Sequence, residues 1–212
     1  MKAFSEDWTA DFRSALYAPG RGADASVRRV FDELNPDADE SLRPYKKKEL
    51  SAAAVLIPIL DKAPEPTVLL TVRSSRMPSH PGQISLPGGR IQTNDASPED
   101  AALRETWEET GIHPDYVTPL GELPVHEGGL GFAVTPIVGV VRPGYRLQAD
   151  EREVAEIFET PLSRILNETE HYIETRRFGG EPLRFRALKD GGRTIWGLTA
   201  SILYSLHEAL KD

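Results

Sequence analysis

The chain has 212 residues, 39% of them hydrophobic, which is enough for one hydrophobic core. Its formal net charge of −8 argues against a general binder of nucleic acid or of anionic membranes. It contains no cysteine, so disulfides, cysteine-ligated zinc and thiol nucleophiles are excluded.

The amino-terminal part predicts a helical extension. "MKAFSEDWTADFRSALYAPG" lacks an apolar signal core, and no run reaches the roughly 20 apolar residues of a membrane span. Two short helices are predicted between residues 5 and 34, split by the turn "APGRGADAS", before the polar connector "LNPDADESLRPYKKKEL". We therefore expect residues 1–50 to pack as an extension on a domain of residues 51–212, in a soluble cytoplasmic protein.

The next segments predict a sheet. "SAAAVLIPIL" (51–60) and "TVLLTVR" (67–73) are short apolar runs that predict neighbouring strands. "SSRMPSHPGQISLPGGR" predicts a loop with a short strand at Ile84–Leu86. Beyond a central helix, "VTPLGELPV" (117–125) and "GFAVTPIVGVV" (131–141) predict two strands joined by "HEGGL".

The carboxy-terminal part adds a hairpin and a helix. "PLSRILNE" predicts a short helix after "EVAEIFET", and "HYIETRRF" and "LRFRAL" predict a hairpin around "GGEP". "GLTASILYSLHEAL" predicts an amphipathic carboxy-terminal helix. Strands with one central and one terminal helix predict a mixed α+β sandwich.

The central helix, in "ASPEDAALRETWEETGI" (96–112), has clear limits. Ser97 is suited to the N-cap, Pro98 to the first helical position and Gly111 to the position just past the end. Helical geometry places three glutamates within an arc of about 100°. They are Glu105, Glu108 and Glu109. The less polar face is expected to point to a core, and it carries Leu103, Thr106, Trp107 and Thr110.

Two interpretations of the three glutamates compete: a solvated acidic face and a site for a hard cation. Like charges at this spacing each cost a helix about 0.2–0.5 kcal/mol, and the helix dipole disfavours acids near the carboxy-terminal end. Only Arg104 lies alongside them. Mg²⁺ prefers oxygen ligands and usually keeps several waters, so carboxylates with one backbone carbonyl suit it. We therefore favour a cation site.

At this spacing "GGR…ALRETWEETGI" resembles the Nudix box, G-x5-E-x7-R-E-U-x-E-E-x-G-U, where U is a bulky apolar residue. The matching positions are Arg104, Glu105, Glu108, Glu109, Gly111 and Ile112. The spacing from Gly89 to Arg104 is one residue longer than the pattern, Asp95 replaces the early glutamate, and Thr106 takes an apolar position. The resemblance implies an α/β/α sandwich with a mixed sheet. It also implies Mg²⁺- or Mn²⁺-dependent hydrolysis of a nucleoside diphosphate linked to another group.

The flanking segments resemble the coenzyme A pyrophosphatase branch of that family. They are "LLTVRSSRMPSHPGQISLPGG" (69–89), the insertion with "DAS", and "IWGLTASIL" (195–203). Arg73, Pro78 and Leu86 stand where the branch pattern has Thr, Arg and Phe. The resemblance implies cleavage of coenzyme A or acyl-CoA to 3',5'-ADP and (acyl-)4'-phosphopantetheine. The alternatives are another nucleotide such as ADP-ribose or NADH, and a catalytically silent ligand-binding protein; a homodimer is a compatible assembly.

The resemblance also implies roles for individual residues. Catalysis is expected to involve Arg104, Glu105, Glu108 and Glu109. The metal ligands are expected to be Glu105, Glu109, Glu108 and the carbonyl of Gly89. Substrate contacts are expected from Arg73, Arg76, Gly82, Gly88 and Arg90. Arg104 is expected to pair with one box carboxylate and hold its rotamer.

Several roles stay open on the sequence alone. The general base is either a box carboxylate or an acid outside the box, namely Glu127, Glu153 or Glu156. "HPGQISLPGG" is either a tight connector or a site of close backbone approach to the substrate. His80 and His126 are polar loop residues or catalytic groups, and Phe132 is a core residue or stacks on the substrate. The lysines at 46–48 are a solvated run or contact the 3'-phosphate.

Overall fold

The computed structural model of the chain describes residues 8–18, 27–42, 50–128 and 131–211. The α-helices are α1 (Trp8–Ala15), α2 (Val30–Leu34), α3 (Pro98–Thr110), α4 (Leu162–Ile165) and α5 (Leu198–Ala209). The first strands are β1 (Ser51–Leu60), β2 (Thr67–Arg73), β3 (Ile84–Ser85), β4 (Gly88–Arg90), β5 (Val117–Glu122) and β6 (His126–Gly128). The others are β7 (Phe132–Val141), β8 (Val154–Pro161), β9 (His171–Phe178), β10 (Glu181–Asp190) and β11 (Arg193–Trp196).

A mixed eight-stranded sheet forms the centre of the fold. Its main path runs β3-β2-β1-β7-β5, while β4 pairs with β1, β6 with β7 and β8 with β2. Strands β1 and β7 are parallel and pair along their whole length, from Ser51 opposite Phe132 to Leu60 opposite Val141. A second, antiparallel sheet has the order β11-β10-β9.

The two faces of the central sheet pack against different layers of the protein. Because side chains alternate along a strand, Leu56 of β1 packs towards α3, while Ile57 and Ile59 belong to the larger core on the other face. That larger core includes Leu203 and Leu206 of α5, with residues of the second sheet. The result is an α/β/α arrangement, which confirms the predicted α+β fold class.

The described part of the amino-terminal extension packs directly on the domain. Trp8 and Phe12 of α1 are buried in the larger core. The backbone of Tyr17 exchanges hydrogen bonds of 3.0 and 2.9 Å with Glu122, and the amide of Arg28 donates to the carbonyl of Val125 at 2.8 Å. The extension thus lies along the β5–β6 edge; the division at residue 50 stays a prediction. Most of "APGRGADAS" and the lysines at 46–48 lie outside the described residues.

Four strands depart from the sequence prediction. The sequence predicts a loop where β4 lies and the connecting segment "HEGGL" where β6 lies, and it predicts no strand at β8 or β11. Each of the four strands is stabilised by hydrogen bonding to a neighbouring strand: β4 pairs with β1, β6 with β7, β8 with β2 and β11 with β10. Local propensity is a weak guide to such strands, because pairing and burial supply their stability. None of the helices in the described ranges is long and apolar enough to cross a membrane.

Candidate active site

Two glycines bring β4 into close contact with its neighbours. Gly88 lies opposite Val55 of β1 and has φ 152°, and a Cβ there would lie 2.4 Å from the carbonyl oxygen of Ala54. A Cβ on Gly89 would lie 2.5 Å from the carboxyl carbon of Glu105. Only glycine fits at Gly88, where the close atoms include backbone and φ is positive. The segment "PGG" is therefore more than a connector, because it holds the backbone of β4 in close contact with the carboxylate of Glu105.

Helix α3 begins and ends as predicted. The hydroxyl of Ser97 accepts a hydrogen bond from the amide of Asp100 at 3.1 Å, and Pro98 occupies the first turn. Gly111 has φ 80°, and its amide donates to the carbonyl of Trp107 at 2.9 Å. These caps satisfy helix-end groups and fix where the acids of the last two turns stand.

Arg104 is hydrogen-bonded to two acids, Asp95 in the loop before α3 and Glu105 within α3. Its Nε and Nη2 donate to the two carboxylate oxygens of Asp95, each at 2.9 Å, and its Nη1 donates to Glu105 at 2.8 Å. Nη2 also donates to the carbonyl of Arg90 at 3.2 Å, while Glu108 is more distant at 3.3 Å. Hydrogen bonding by Arg104 lowers the pKa of Asp95. The expected pairing of Arg104 with a box acid is thus present, and Asp95 anchors it.

The three glutamates occupy three different environments. The Glu108 side chain is 56% exposed and that of Glu105 is 15% exposed, whereas Glu109 is only 5% exposed. Glu109 accepts a hydrogen bond from the amide of Gly88, and its Oε2 is buried without a hydrogen-bond partner in the described part of the chain. The three glutamates of the predicted acidic face therefore differ in exposure, and Glu109 is buried beside β4.

Burial and mutual repulsion control the protonation of the acid pair, Glu105 and Glu109. Burial, and next the charge of Glu105, raise the pKa of Glu109 to about 8; Arg73 and the Gly88 amide oppose the shift. Burial also raises the pKa of Glu105, against the hydrogen bond from Arg104. Without a cation, Glu109 therefore holds a proton at neutral pH. A deprotonated Glu109 needs a positive charge at its unpartnered oxygen.

These residues fit a divalent cation. No three acidic or histidine side chains of the described ranges form a preformed metal cluster. The site is instead a pair of carboxylates beside a glycine backbone. A small hard cation keeps several of its waters and is commonly held by one or two carboxylates together with substrate phosphates. The unpartnered Glu109 oxygen and the adjacent Glu105 supply two such ligands.

The loop of residues 148–153 brings a further acid to the pair. The amides of Gln148 and Asp150 donate to the carbonyls of Thr110 and Glu109, at 2.8 and 3.1 Å, so the loop is fixed to the last turn of α3. The charge of Glu153 raises the pKa of both Glu105 and Glu109. This anchoring was not predicted, because it joins segments distant in the chain and no local pattern marks it.

The other two candidate bases are engaged elsewhere. Glu127 is buried and forms an ion pair with Arg29 of the extension at 2.8 Å. Glu156 is bonded to Arg193 of β11. Of the three candidates, Glu153 is the one whose charge acts on the pKa of both Glu105 and Glu109.

The predicted substrate contacts divide into near and peripheral positions. Arg73 lowers the pKa of Glu109 through its charge, and its Nε donates to the carbonyl of Ser79 at 3.4 Å. The guanidinium of Arg90 lies 5.1 Å from the ring centroid of the half-buried Phe132. The other predicted contacts, Arg76 and Gly82, lie exposed in the loop after β2.

The two histidines differ in their surroundings. His126 is fully buried: its Nδ1 donates to the carbonyl of Pro124 at 2.7 Å, and its Nε2 lies 2.9 Å from the hydroxyl of Ser205. Burial lowers its pKa to about 4. This is a satisfied core histidine rather than a catalytic one. His80 is exposed in the loop and adopts φ 55°.

Trp107 was predicted to pack in the core, and that prediction is wrong. Its side chain is 50% exposed, with the ring edge-on to His113 at 4.9 Å. The buried stripe of α3 instead contains Thr106 and Thr110, whose hydroxyls donate to the carbonyls four residues earlier at 2.7 and 2.6 Å. Because those bonds satisfy the hydroxyls internally, threonine can replace an apolar residue there.

Comparison with known proteins identifies the family. Residues 50–179 match the NUDIX domain. The chain is 40% identical over 169 residues to a protein of Enterobacter sp. (strain 638) described as "Uncharacterized Nudix hydrolase NudL", covering 78% of this chain and 87% of that protein. A protein of the same description from Photorhabdus laumondii is 44% identical over 161 residues, covering 75% and 84%.

Among solved structures, the NUDIX domain of Shewanella oneidensis NrtR complexed with ADP ribose is similar, with a TM-score of 0.43 and 24% identity. The match covers 63% of this chain and 84% of that one. The family match and the two sequence relatives carry the assignment. The chain therefore belongs to the Nudix hydrolase family, whose enzymes act on phosphoric anhydrides and generally use divalent metals.

Proposed function

We propose that this Nudix hydrolase cleaves the diphosphate of coenzyme A or acyl-CoA, releasing 3',5'-ADP and (acyl-)4'-phosphopantetheine. The observation that carries the substrate proposal is a contact between the two segments that resemble the coenzyme A branch. The hydroxyl of Thr199, in "IWGLTASIL", donates to the carbonyl of Ile84, in "GQISLPGG", at 3.0 Å. The two segments are therefore in contact at β3, four residues before Gly88 in the chain.

In this proposal Glu105, Glu109 and the carbonyl of Gly89 hold Mg²⁺ or Mn²⁺, with Glu108 available from the solvent side. When bound, the cation neutralises diphosphate oxygens and lowers the pKa of the attacking water. The acid pair by itself would repel an anionic diphosphate. The buried and unpartnered oxygen of Glu109 supports its place as a direct ligand.

The remaining groups position the reacting atoms. Arg104, held by Asp95, fixes the Glu105 side chain, and the Gly88 amide orients Glu109. The charge of Arg73 acts on Glu109, and Arg90 lies beside Phe132; in this proposal both donate charged hydrogen bonds to phosphate oxygens. The half-buried ring of Phe132 offers a flat surface near the same arginine.

Glu153 acts as the general base in this proposal. It takes a proton from the water as the new O–P bond forms, and the bridging P–O bond breaks with its electron pair on the departing phosphate ester. Its charge acts on the pKa of both Glu105 and Glu109, and its loop is fixed to α3; both observations support this role. Glu127 and Glu156 are committed to ion pairs with Arg29 and Arg193.

Glu153→Gln is expected to lower kcat by about 10²- to 10³-fold, with a much smaller change in KM, because the amide cannot accept the proton. Steady-state kinetics with the preferred substrate measure this. Glu156→Gln is the matched control, since Glu156 is bonded to Arg193, and it should stay within about twofold of wild type. Full activity of Glu153→Gln would remove Glu153 from the reaction.

The substrate proposal has one serious rival, another nucleotide diphosphate such as ADP-ribose or NADH. Arg73 is the observation that favours it: this departure from the branch pattern is a charge that acts on Glu109, so it can alter which substrate is held. A catalytically silent Nudix protein is disfavoured, because all three box glutamates are present and two of them form the buried pair.

A substrate panel separates these proposals. Purified protein with Mg²⁺ or Mn²⁺ is given coenzyme A, acetyl-CoA, ADP-ribose, NADH and dinucleoside polyphosphates, and the products are identified by mass spectrometry. We expect kcat/KM for coenzyme A or acetyl-CoA to exceed that for ADP-ribose by about tenfold or more, equivalent to about 1.4 kcal/mol. Preference for ADP-ribose would overturn the coenzyme A proposal alone. No turnover of any member would overturn the proposed catalysis.

A further inference from the structure

Strand β9 forms an outer edge of the second sheet. In the described ranges β9 pairs with β10 alone, and Ile173, Thr175, Arg177 and Phe178 are exposed along it. An edge strand presents a row of unpaired backbone N–H and C=O groups, which is a template for pairing with another strand. The identity of that other strand follows from the pattern of side chains on β9.

The turn of the β9–β10 hairpin determines which backbone groups face outward. Gly179 and Gly180 have φ 58° and 92°, the values of a two-residue type I′ turn. The residues flanking such a turn form a hydrogen-bonded pair, and bonded and non-bonded pairs then alternate. Every second residue, starting from Arg177, therefore points its backbone groups away from β10. Pro182, opposite Arg177, fits this phase because it has no N–H to donate.

We propose that β9 pairs in antiparallel orientation with β9 of a second copy of this chain, with Thr175 on the twofold axis. In this register Glu174 lies opposite Arg176 of the partner subunit, and the symmetry repeats this pair of opposite charges. Tyr172 lies opposite Phe178 of the partner subunit. Opposite charges and aromatic pairs directly across an antiparallel ladder stabilise it, and a twofold interface must be self-complementary in this way.

Neighbouring registers are disfavoured by the same side chains. With Glu174 on the axis, two carboxylates lie directly opposite each other; with Arg176 on the axis, two guanidinium groups do. Like charges in directly opposed positions destabilise a ladder. The register centred on Thr175 also brings together the outward-facing backbone groups of Ile173, Thr175 and Arg177, as hydrogen bonding requires.

In a single chain, Glu174 and Arg176 already form an ion pair on β9, and dimerisation would exchange it for pairs between subunits. Within one chain, Arg176 donates to Glu174 at 3.1 Å, and its guanidinium lies 4.0 Å from the centroid of Trp196. Both charged side chains therefore lie on one face of β9 and are held there before association. Because neither is deeply buried, exchanging an intrachain partner for an intersubunit one requires little desolvation. The dimer would join two three-stranded sheets into one of six strands, without using residues of the proposed active site.

Charge reversal tests the register. In sedimentation velocity over a wide range of concentrations of the full chain, wild type is expected to dimerise. Glu174→Arg and Arg176→Glu should each weaken dimerisation by about tenfold or more, because each places like charges opposite twice. The double variant Glu174→Arg/Arg176→Glu should restore it. A wild type that is monomeric throughout, or single variants that dimerise like wild type, would overturn the proposal.

A backbone variant tests the edge itself. Thr175→Pro removes an outward N–H at the axis and no β9–β10 hydrogen bond, so it should abolish the dimer while circular dichroism and hydrolysis remain as in wild type. Thr175→Val is the matched control and should still dimerise. A Thr175→Pro protein that keeps its fold and remains a dimer would assign dimerisation to another surface and overturn the proposal.

Discussion

Glu109→Gln is expected to lower kcat/KM by about 10³-fold, a loss of roughly 4 kcal/mol in transition-state stabilisation. Glutamine keeps the size of the side chain but removes the charge that we assign to the cation. Glu108→Gln is the matched control one residue away, where the side chain is 56% exposed, and it should cost about tenfold or less. Equal activity of Glu109→Gln and wild type would refute the assignment of Glu109 as a metal ligand.

The stability of the same variant separates loss of charge from loss of fold. The pKa of Glu109 is raised from 4.5 to about 8 in the folded protein. Between these values the folded state binds more protons than the unfolded state, so the free energy of unfolding of the metal-free wild type falls as pH rises from about 4.5 to about 8. The neutral glutamine removes this penalty.

Metal-free Glu109→Gln should therefore be more stable than wild type at pH near 8, by about 1–3 kcal/mol. Urea denaturation in the presence of a chelator measures the difference, and repeating it at a pH near 5 should show the advantage shrinking. A variant that is less stable than wild type at both pH values would show that Glu109 has a structural role, and the kinetic loss could then not be assigned to the cation.

Alanine at Gly88 and at Gly89 is expected to produce two different defects. At Gly88 the new Cβ would meet backbone atoms, 2.4 Å from the Ala54 carbonyl oxygen and 2.6 Å from the Val55 Cα, at φ 152°. Because backbone cannot move aside cheaply, Gly88→Ala should lower the free energy of unfolding by about 2–4 kcal/mol. At Gly89 the Cβ would meet only the flexible end of Glu105. Gly89→Ala should therefore fold, with kcat/KM reduced about 10²-fold because the carboxylate is displaced.

Thermal or urea unfolding and steady-state kinetics on the same samples measure both effects. Gly192→Ala is the matched control: it also has a positive φ, 92°, but a Cβ there would meet nothing within 4 Å and it lies in the β10–β11 turn. It should lose about 1 kcal/mol of stability and no activity. A fully active Gly89→Ala protein would show that close approach of this backbone to Glu105 is not needed for catalysis.

The elements that were predicted well carry their signals locally. Helix α3 has an N-cap at Ser97, a proline in its first turn and Gly111 at its end, and each acts within one helical turn. Strands β1 and β2 are long apolar runs, so burial on both faces of the sheet favours them whatever their partners. The short strands β4 and β6 lacked such signals, because their stability comes from pairing with β1 and β7.

By itself the sequence determined the spacing of Arg104, Glu105 and Glu109, the limits of the helix that carries them and the resemblance to a family. These depend on covalent order and on contacts within a turn. Only the tertiary structure decided that Glu109 is buried while Glu108 is exposed, and that the charge of Glu153 acts on Glu105 and Glu109. Burial and electrostatic coupling depend on strand β4 and on the loop of residues 148–153. Their contacts with α3 join residues far apart in the chain, and no periodicity of the sequence encodes them.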